Sequence, residues 1–92
     1  MSLTFEWDDA KAASNVEKHD VTFEEASTVF KDSLSLTISD PLHSADEPRF
    51  VTVGESAERA VLVVVHTQRD TKIRVISARE ATRKERRDYE TR

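Results

Sequence analysis

Along this chain the spacing of apolar residues changes several times, and each change marks a new element. Thr4-Phe5-Glu6-Trp7 alternates polar and aromatic positions and predicts a short strand; Asp8 and Asp9 then supply an N-cap and a first-turn acid for a helix running to about His19. The apolar positions of that helix, Ala10, Ala13 and Val16, recur three residues apart and make a thin stripe. Asp20 stands where a helix C-cap falls, and Thr22-Phe23-Glu24-Glu25 reads as a capping box with Thr22 at N-cap and Glu25 at N3. The helix it opens carries Phe23, Ala26, Val29 and Phe30 on one side, the stronger of the two amphipathic faces.

After Asp32 the period becomes two: Leu34, Leu36 and Ile38 alternate with Ser33, Ser35, Thr37 and Ser39, a strand with one wet face. Residues 40–48 form a polar loop bounded by Pro41 and Pro48, and Arg49 to Glu55 is the next strand, ending near Gly54, the only glycine. Arg59 to Gln68 contains the unbroken apolar run Ala60 to Val65, so this strand is expected to be central and buried on both faces. A turn at 68–71 leads into a last strand, Lys72 to Ala78, and Thr82 with Glu85 makes a second capping box that opens a final helix through Tyr89. The order is strand, helix, helix, four strands, helix. It predicts an α+β fold of two layers, an antiparallel sheet of about four to five strands with the two N-terminal helices on one face, one C-terminal helix, and the other face open.

Length and composition restrict what such a fold can be. The chain has 92 residues with no repeat, linker or low-complexity segment, so residues 1–92 are expected to form a single domain. Hydrophobic residues at 37% suffice for one small core, while 35% charged residues place the sequence in the water-soluble class. Without cysteine there is neither a disulfide framework nor a thiolate metal site. No basic-then-apolar signal opens the chain and the longest apolar run is roughly a third of a membrane span, so a cytoplasmic protein without membrane contact is expected.

The net charge of −4 argues at first against a nucleic-acid ligand, but its distribution reverses that impression. Residues 66–92 carry nine Lys and Arg against five acids, a net +4, whereas residues 1–65 carry five against thirteen, a net −8. One cationic end is thereby available to an anion, and the acidic part to a basic partner. His19, His43 and His66 lie on a helix end, a loop and a strand, lacking the i, i+4 spacing of a metal-binding helix. No metal or other cofactor is expected. A lone glycine builds neither a nucleophile elbow nor a phosphate loop. The remaining candidate is the arginine cluster: Arg79 at the end of the last strand, then Arg83, Arg86 and Arg87 on the final helix at spacings of three and four. Guanidinium forks match phosphate oxygens bidentately, and the helix N-terminus near Thr82 adds partial positive charge. Arg74 and Arg49, on strands, extend the patch across the open sheet face. A duller role is also open to these residues, as surface helix ion pairs worth about 0.3–0.5 kcal/mol each.

RNA is the anion such a site can cut without a metal, because its 2′-hydroxyl is a built-in nucleophile. The protein then supplies a base, cations for the phosphorane and an acid for the leaving 5′-oxygen. His43, His66 and Tyr89 carry suitable proton chemistry. Each also has a plainer role: His43 in a solvent loop, His66 at a strand end with a wet tip, Tyr89 closing the core with its ring.

Taken together, Phe5-Glu6-Trp7-Asp8, Ala10-Lys11-Ala12, Asn15, Lys18-His19 and Val21 to Ala26 resemble the opening of BrnT-family toxins. Arg74 to Thr82 with Glu85-Arg86 and Tyr89-Glu90 resembles the family's ending, and Asp40-Pro41, His43-Ser44 and Glu47 to Phe50 its middle. The resemblance implies a RelE-like fold, a ribonuclease activity that suppresses translation, and inhibition by BrnA, a DNA-binding antitoxin with which the toxin represses its own operon. It implies an RNA site at Arg49, Arg74, Arg79, Arg83 and Arg86, with His43 and Tyr89. Arg87 joins that site through the helix spacing. One departure is Asp20, where the family often has glycine; Asp tolerates a left-handed cap. The rival reading is a non-catalytic protein-binding module of a toxin-antitoxin-like complex. Homodimerisation through a strand edge or the open sheet face is compatible with either.

Overall fold

The computed structural model describes residues 3–40 and 47–91. Its elements follow the expected order: β1 (Thr4–Glu6), α1 (Asp9–His19), α2 (Phe23–Ser27) continued by a 3-10 turn (Thr28–Lys31), β2 (Leu36–Ser39), β3 (Arg49–Glu55), β4 (Val61–Arg69), β5 (Lys72–Glu80) and α3 (Arg83–Glu90). The strands form one sheet in the order β1-β5-β4-β3-β2. Four of them make an antiparallel meander, but β1 joins β5 in parallel, so the sheet is mixed, not antiparallel throughout. The parallel pair results from the crossover: two helices lie between β1 and the rest of the sheet and return the chain to the opposite edge.

The local signals act as read, save that the Thr22 box is half made: the Glu25 carboxylate accepts from the Ser56 hydroxyl at 2.7 Å instead of the Thr22 amide. Asp8 accepts a hydrogen bond from the Lys11 amide at 3.0 Å, and Thr22 accepts one from the Glu25 amide at 3.0 Å. Thr82 and Glu85 form a complete capping box. Asp20 adopts the left-handed conformation with φ 57°, its N–H donating to the Val16 carbonyl at 2.8 Å. Val21, Phe23, Ala26 and Val29 pack against Leu62, Val64, Val75 and Ala78, with Phe5, Trp7 and Phe30 closing the margins. As expected, β4 is buried on both faces from Val61 to Val64. Gly54 allows β3 to pass under the 3-10 turn: a Cβ there would stand 3.0 Å from Ser35 Cβ and 3.2 Å from the Val29 carbonyl oxygen.

Two expectations fail. The β2 strand begins at Leu36; Leu34 lies before it, and Leu36 and Ile38, the residues meant for the dry face, are exposed. On α1 the inferred stripe is turned the wrong way, since Ala10, Ala13 and Val16 face solvent and the buried residue is Asn15. The reason is the edge on which α1 lies. β1 covers β5 only at Lys72, Ile73 and Arg74, leaving the backbone farther along β5 without a strand neighbour. Asn15, 5% exposed, takes that place: its Oδ1 accepts from the Ala78 N–H at 3.1 Å, and its Nδ2 donates to the Ala78 carbonyl at 2.8 Å and to the Val21 carbonyl at 2.9 Å. A polar residue is thus the inward one, because the surface it covers is polar backbone.

Replacing Asn15 strands three buried backbone groups. Asn15→Ala is expected to lower unfolding free energy by about 3 kcal/mol in urea titrations, and Asn15→Asp, which loses both donors and buries a charge, by at least as much.

Candidate functional site

The face of the sheet opposite α1 and α2 carries the candidate chemistry. Cross-strand register sets its rows: Glu6, Arg74, Thr67 and Arg49; then Ser77, Val65, Val51 and Ile38; then Arg79, Val63, Val53 and Leu36. A bulge in the register at Val65/His66 allows Val75 and Ala78, three residues apart, both to enter the core, so that Arg74 and Arg79 emerge on the same open face. Arg49 and Arg74 stand two strands apart, roughly 10 Å between backbones. Val51, Val53, Val63 and Val65 floor a groove of about 460 Å³ whose rim includes His19, Arg79 and Glu85.

Arg79, Arg74 and Arg69 on this face are held by acids. Arg79 makes a two-pronged pair with Glu85 at 2.8 and 3.0 Å and also donates to the Glu80 carbonyl at 3.2 Å. The Arg79 hydrogen bonds, together with the Thr82 amide, hold the Glu85 carboxyl down to about 2, and Glu85 in turn raises the Arg79 guanidinium above its ordinary value. Arg74 pairs with Glu6 at 3.0 Å. Arg69, a residue that sequence reasoning did not select, pairs with Glu47 at 3.0 Å, and the Glu47 carboxyl is lowered by Arg69 first and by the fields of Arg49 and Arg74 as well. The charge polarity seen along the sequence is thus partly offset in space, where the early acids Glu6 and Glu47 stand beside the late arginines Arg74 and Arg69.

Helix α3 lies across one end of the face. Glu85 and Tyr89, one turn apart, are its partly buried side. The Tyr89 hydroxyl donates to Asp32, whose carboxylate also accepts from the Leu34 amide at 3.0 Å and the Glu55 amide at 2.8 Å. Helical spacing then directs Arg83 and Arg87 away from the sheet and Arg86 to the flank, all three exposed. The predicted cluster is thus divided: Arg79, Arg74 and Arg49 share the open face, while Arg83 and Arg87 lie on the outer surface of α3. His43 falls outside the described residues.

His66 is not a strand-end residue with a wet tip. It is 7% exposed on the core side, edge-on to Phe30 with centroids 4.8 Å apart and stacked on Phe50 at 5.9 Å. Its Nε2 meets the Thr52 hydroxyl at 2.8 Å, and Thr52 meets Thr37 at 2.7 Å. It is removed from the open face altogether. His19, passed over as a helix-end residue, is the histidine at the groove. The signal for it was Asn15, one helical turn earlier on the same side of α1. Among the described residues no three His, Asp or Glu side chains are grouped to hold a metal ion, and no helix is long and apolar enough to cross a membrane.

A mixed sheet with α1 and α2 on one side, and on the other a groove rimmed by Arg79 with α3 across one end, defines a small α+β protein that presents charge from an open sheet face. The family model for the BrnT ribonuclease toxin of type II toxin-antitoxin systems matches residues 7–85, and the chain belongs to that family. It is accordingly a ribonuclease toxin, with RNA as target and an antitoxin as partner. The fold is similar to the crystal structure of the Brucella abortus ribonuclease toxin BrnT, with a TM-score of 0.65 and 22% identity over 89% of this chain and 100% of that one. No curated protein matches the sequence significantly.

Burial pushes the His66 imidazole down to about 4 from 6.5, so the fold holds it neutral while the unfolded chain takes up a proton. Its contribution is complete above about pH 6.5 and is lost as pH falls towards 4, approaching roughly 3 kcal/mol. His66→Gln, which retains a partner for Thr52 without a charge to bury, should flatten the urea midpoint across that window.

Proposed function

We propose that this toxin cuts RNA without a metal, by attack of the 2′-hydroxyl on the adjacent phosphate at the open sheet face, and that a BrnA-like DNA-binding antitoxin silences it. The observation that carries the reading is that Arg49, Arg74 and Arg79 share one face of the sheet, with Arg79 at the rim of an apolar-floored groove. Guanidinium forks suit the phosphate and the charge that builds on it in the transition state, and the valine floor offers area to ribose or base. Arg79, beside the groove, is the transition-state cation; Arg49 and Arg74 bind flanking phosphates. Arg83, Arg86 and Arg87 extend the cationic track along the outside of α3 and act on affinity. Tyr89 holds α3 through Asp32, and its hydroxyl serves that anchorage before any proton transfer. His43 keeps its candidacy for proton transfer by resemblance alone.

The same reading makes the protein a cytoplasmic, RelE-like inhibitor of translation that reaches DNA only through its antitoxin. Antitoxin binding blocks the sheet face. The exposed edge strand β2, with Leu36 and Ile38 uncovered, is the surface on which a homodimer or an added antitoxin strand would form.

Incubation of the purified protein with single-stranded RNA in EDTA tests this. Cleavage is expected to persist in EDTA, to fall about 10²–10³-fold in Arg79→Ala, and to remain within about tenfold of the parent in Glu85→Gln, which loses the same ion pair but keeps the cation. Arg83→Ala should weaken binding without changing the rate at saturation. Absence of cleavage and of growth arrest would favour the binding module instead.

A further inference from the structure

The open-face site, as read above, has cations but, among the described residues, no assigned proton carrier. We propose that His19 is that carrier: its imidazole takes the 2′-hydroxyl proton of an RNA seated in the groove beside Arg79.

Asn15 fixes α1 to the β5 edge at Ala78 through three hydrogen bonds. His19 lies four residues on, one turn along the same side of α1, at the rim of the groove shared with Ser77 and Arg79. The left-handed Asp20 ends the helix immediately afterwards, and the Asn15 bond to Val21 holds the outgoing chain, so the imidazole sits on a braced helix end. His19 is solvent-exposed and open to a ligand, whereas His66 is enclosed on the far side of the sheet.

Elimination supports the choice. Among the described residues the ionisable groups at the groove are His19, Arg79 and Glu85. Arg79 remains a cation throughout. Glu85 is bound by two guanidinium nitrogens and by the Thr82 amide, and its carboxyl, held down to about 2, is a feeble base. Of these three, an imidazole is the side chain suited both to accept a proton and to return it.

The step balances without a co-reactant. His19 accepts the 2′-hydroxyl proton as the O2′–P bond forms, the P–O5′ bond breaks, and the imidazolium returns that proton to the departing 5′-oxygen. The products are a 2′,3′-cyclic phosphate and a 5′-hydroxyl. Arg79 balances the charge that accumulates on the non-bridging oxygens.

The inference depends on the reading of the open face, and the test separates the two. Cleavage of single-stranded RNA in EDTA would be compared for the parent, His19→Gln and Arg79→Ala, with affinity measured separately on the 2′-O-methyl form of the same RNA, which cannot supply the nucleophile. His19→Gln is expected to cut at least about 10²-fold more slowly while binding the methylated RNA within about threefold of the parent. Added imidazole should restore part of the lost rate in His19→Gln and none in Arg79→Ala. Because His19 is exposed at a helix end, its replacement should leave the thermal midpoint unchanged. His19→Gln cutting at near-parental rate while Arg79→Ala fails would overturn the proton carrier and leave the open-face site standing. A parallel loss of affinity and rate, without imidazole rescue, would make His19 a binding residue and equally overturn the proposal. A parent that does not cut RNA at all would remove both.

Discussion

The Asn15 carboxamide is the contact on which the rest of the architecture depends. β1 is too short to cover β5, and an uncovered β5 would carry unpaired backbone groups into the interior. A carboxamide presents one acceptor and two donors in a plane, the pattern a neighbouring strand would offer, and Asn15 uses it on Ala78 while its second N–H reaches Val21. One side chain thereby completes the sheet edge, seats α1 and directs the chain into α2. The groove has its histidine wall because this seat is polar: a helix docked through an apolar stripe would have turned Ala10, Ala13 and Val16 inward and His19 elsewhere.

The two faces of the sheet are held by different forces. Beneath α1 and α2 the contacts are apolar and closed, from Phe23 and Val29 down to Leu62 and Val64. Over the open face α3 is fastened chiefly by directional polar contacts, Arg79 to Glu85 and Tyr89 to Asp32. Asp32 serves the turn before β2, the end of β3 and α3 together, and Gly54 provides the clearance that brings the 3-10 turn close enough for this. Such a division suits a protein whose core must persist while its charged face meets different partners.

Much of this was legible in the residues. Element order, the Asp8, Thr22 and Thr82 caps, the inward face of α2 and the buried centre of β4 all follow from local spacing, and local spacing governs them. The parallel pairing of β1 did not, because a strand of three residues carries no record of its neighbour. The α1 stripe was misread because apolar periodicity detects docking on apolar surfaces and is blind to docking on backbone. At the site, Arg74, Arg79 and Arg49 reach one face only through a bulge between Val65 and His66 that the sequence does not mark. The burial of His66 was hidden for a similar reason: the aromatic lid of Phe30 and Phe50 over it is assembled from distant segments.

The Arg79–Glu85 pair also bears on how a polyanion is felt by the protein. A nucleic acid carries cations condensed along its phosphates, and their release when Lys or Arg takes their place is what makes phosphate binding steeply dependent on salt. Arg79 carries its counterion covalently tethered, as a carboxylate six residues away in the same chain. A phosphate that takes Arg79 releases its own cation but leaves the Glu85 carboxylate to attract another, so the net release is small and Arg79 adds little to the salt dependence of binding. The outward arginines of α3, bathed in solvent ions, add most of it. Ionic strength would therefore govern whether RNA is held, and hardly at all how the held phosphate is gripped.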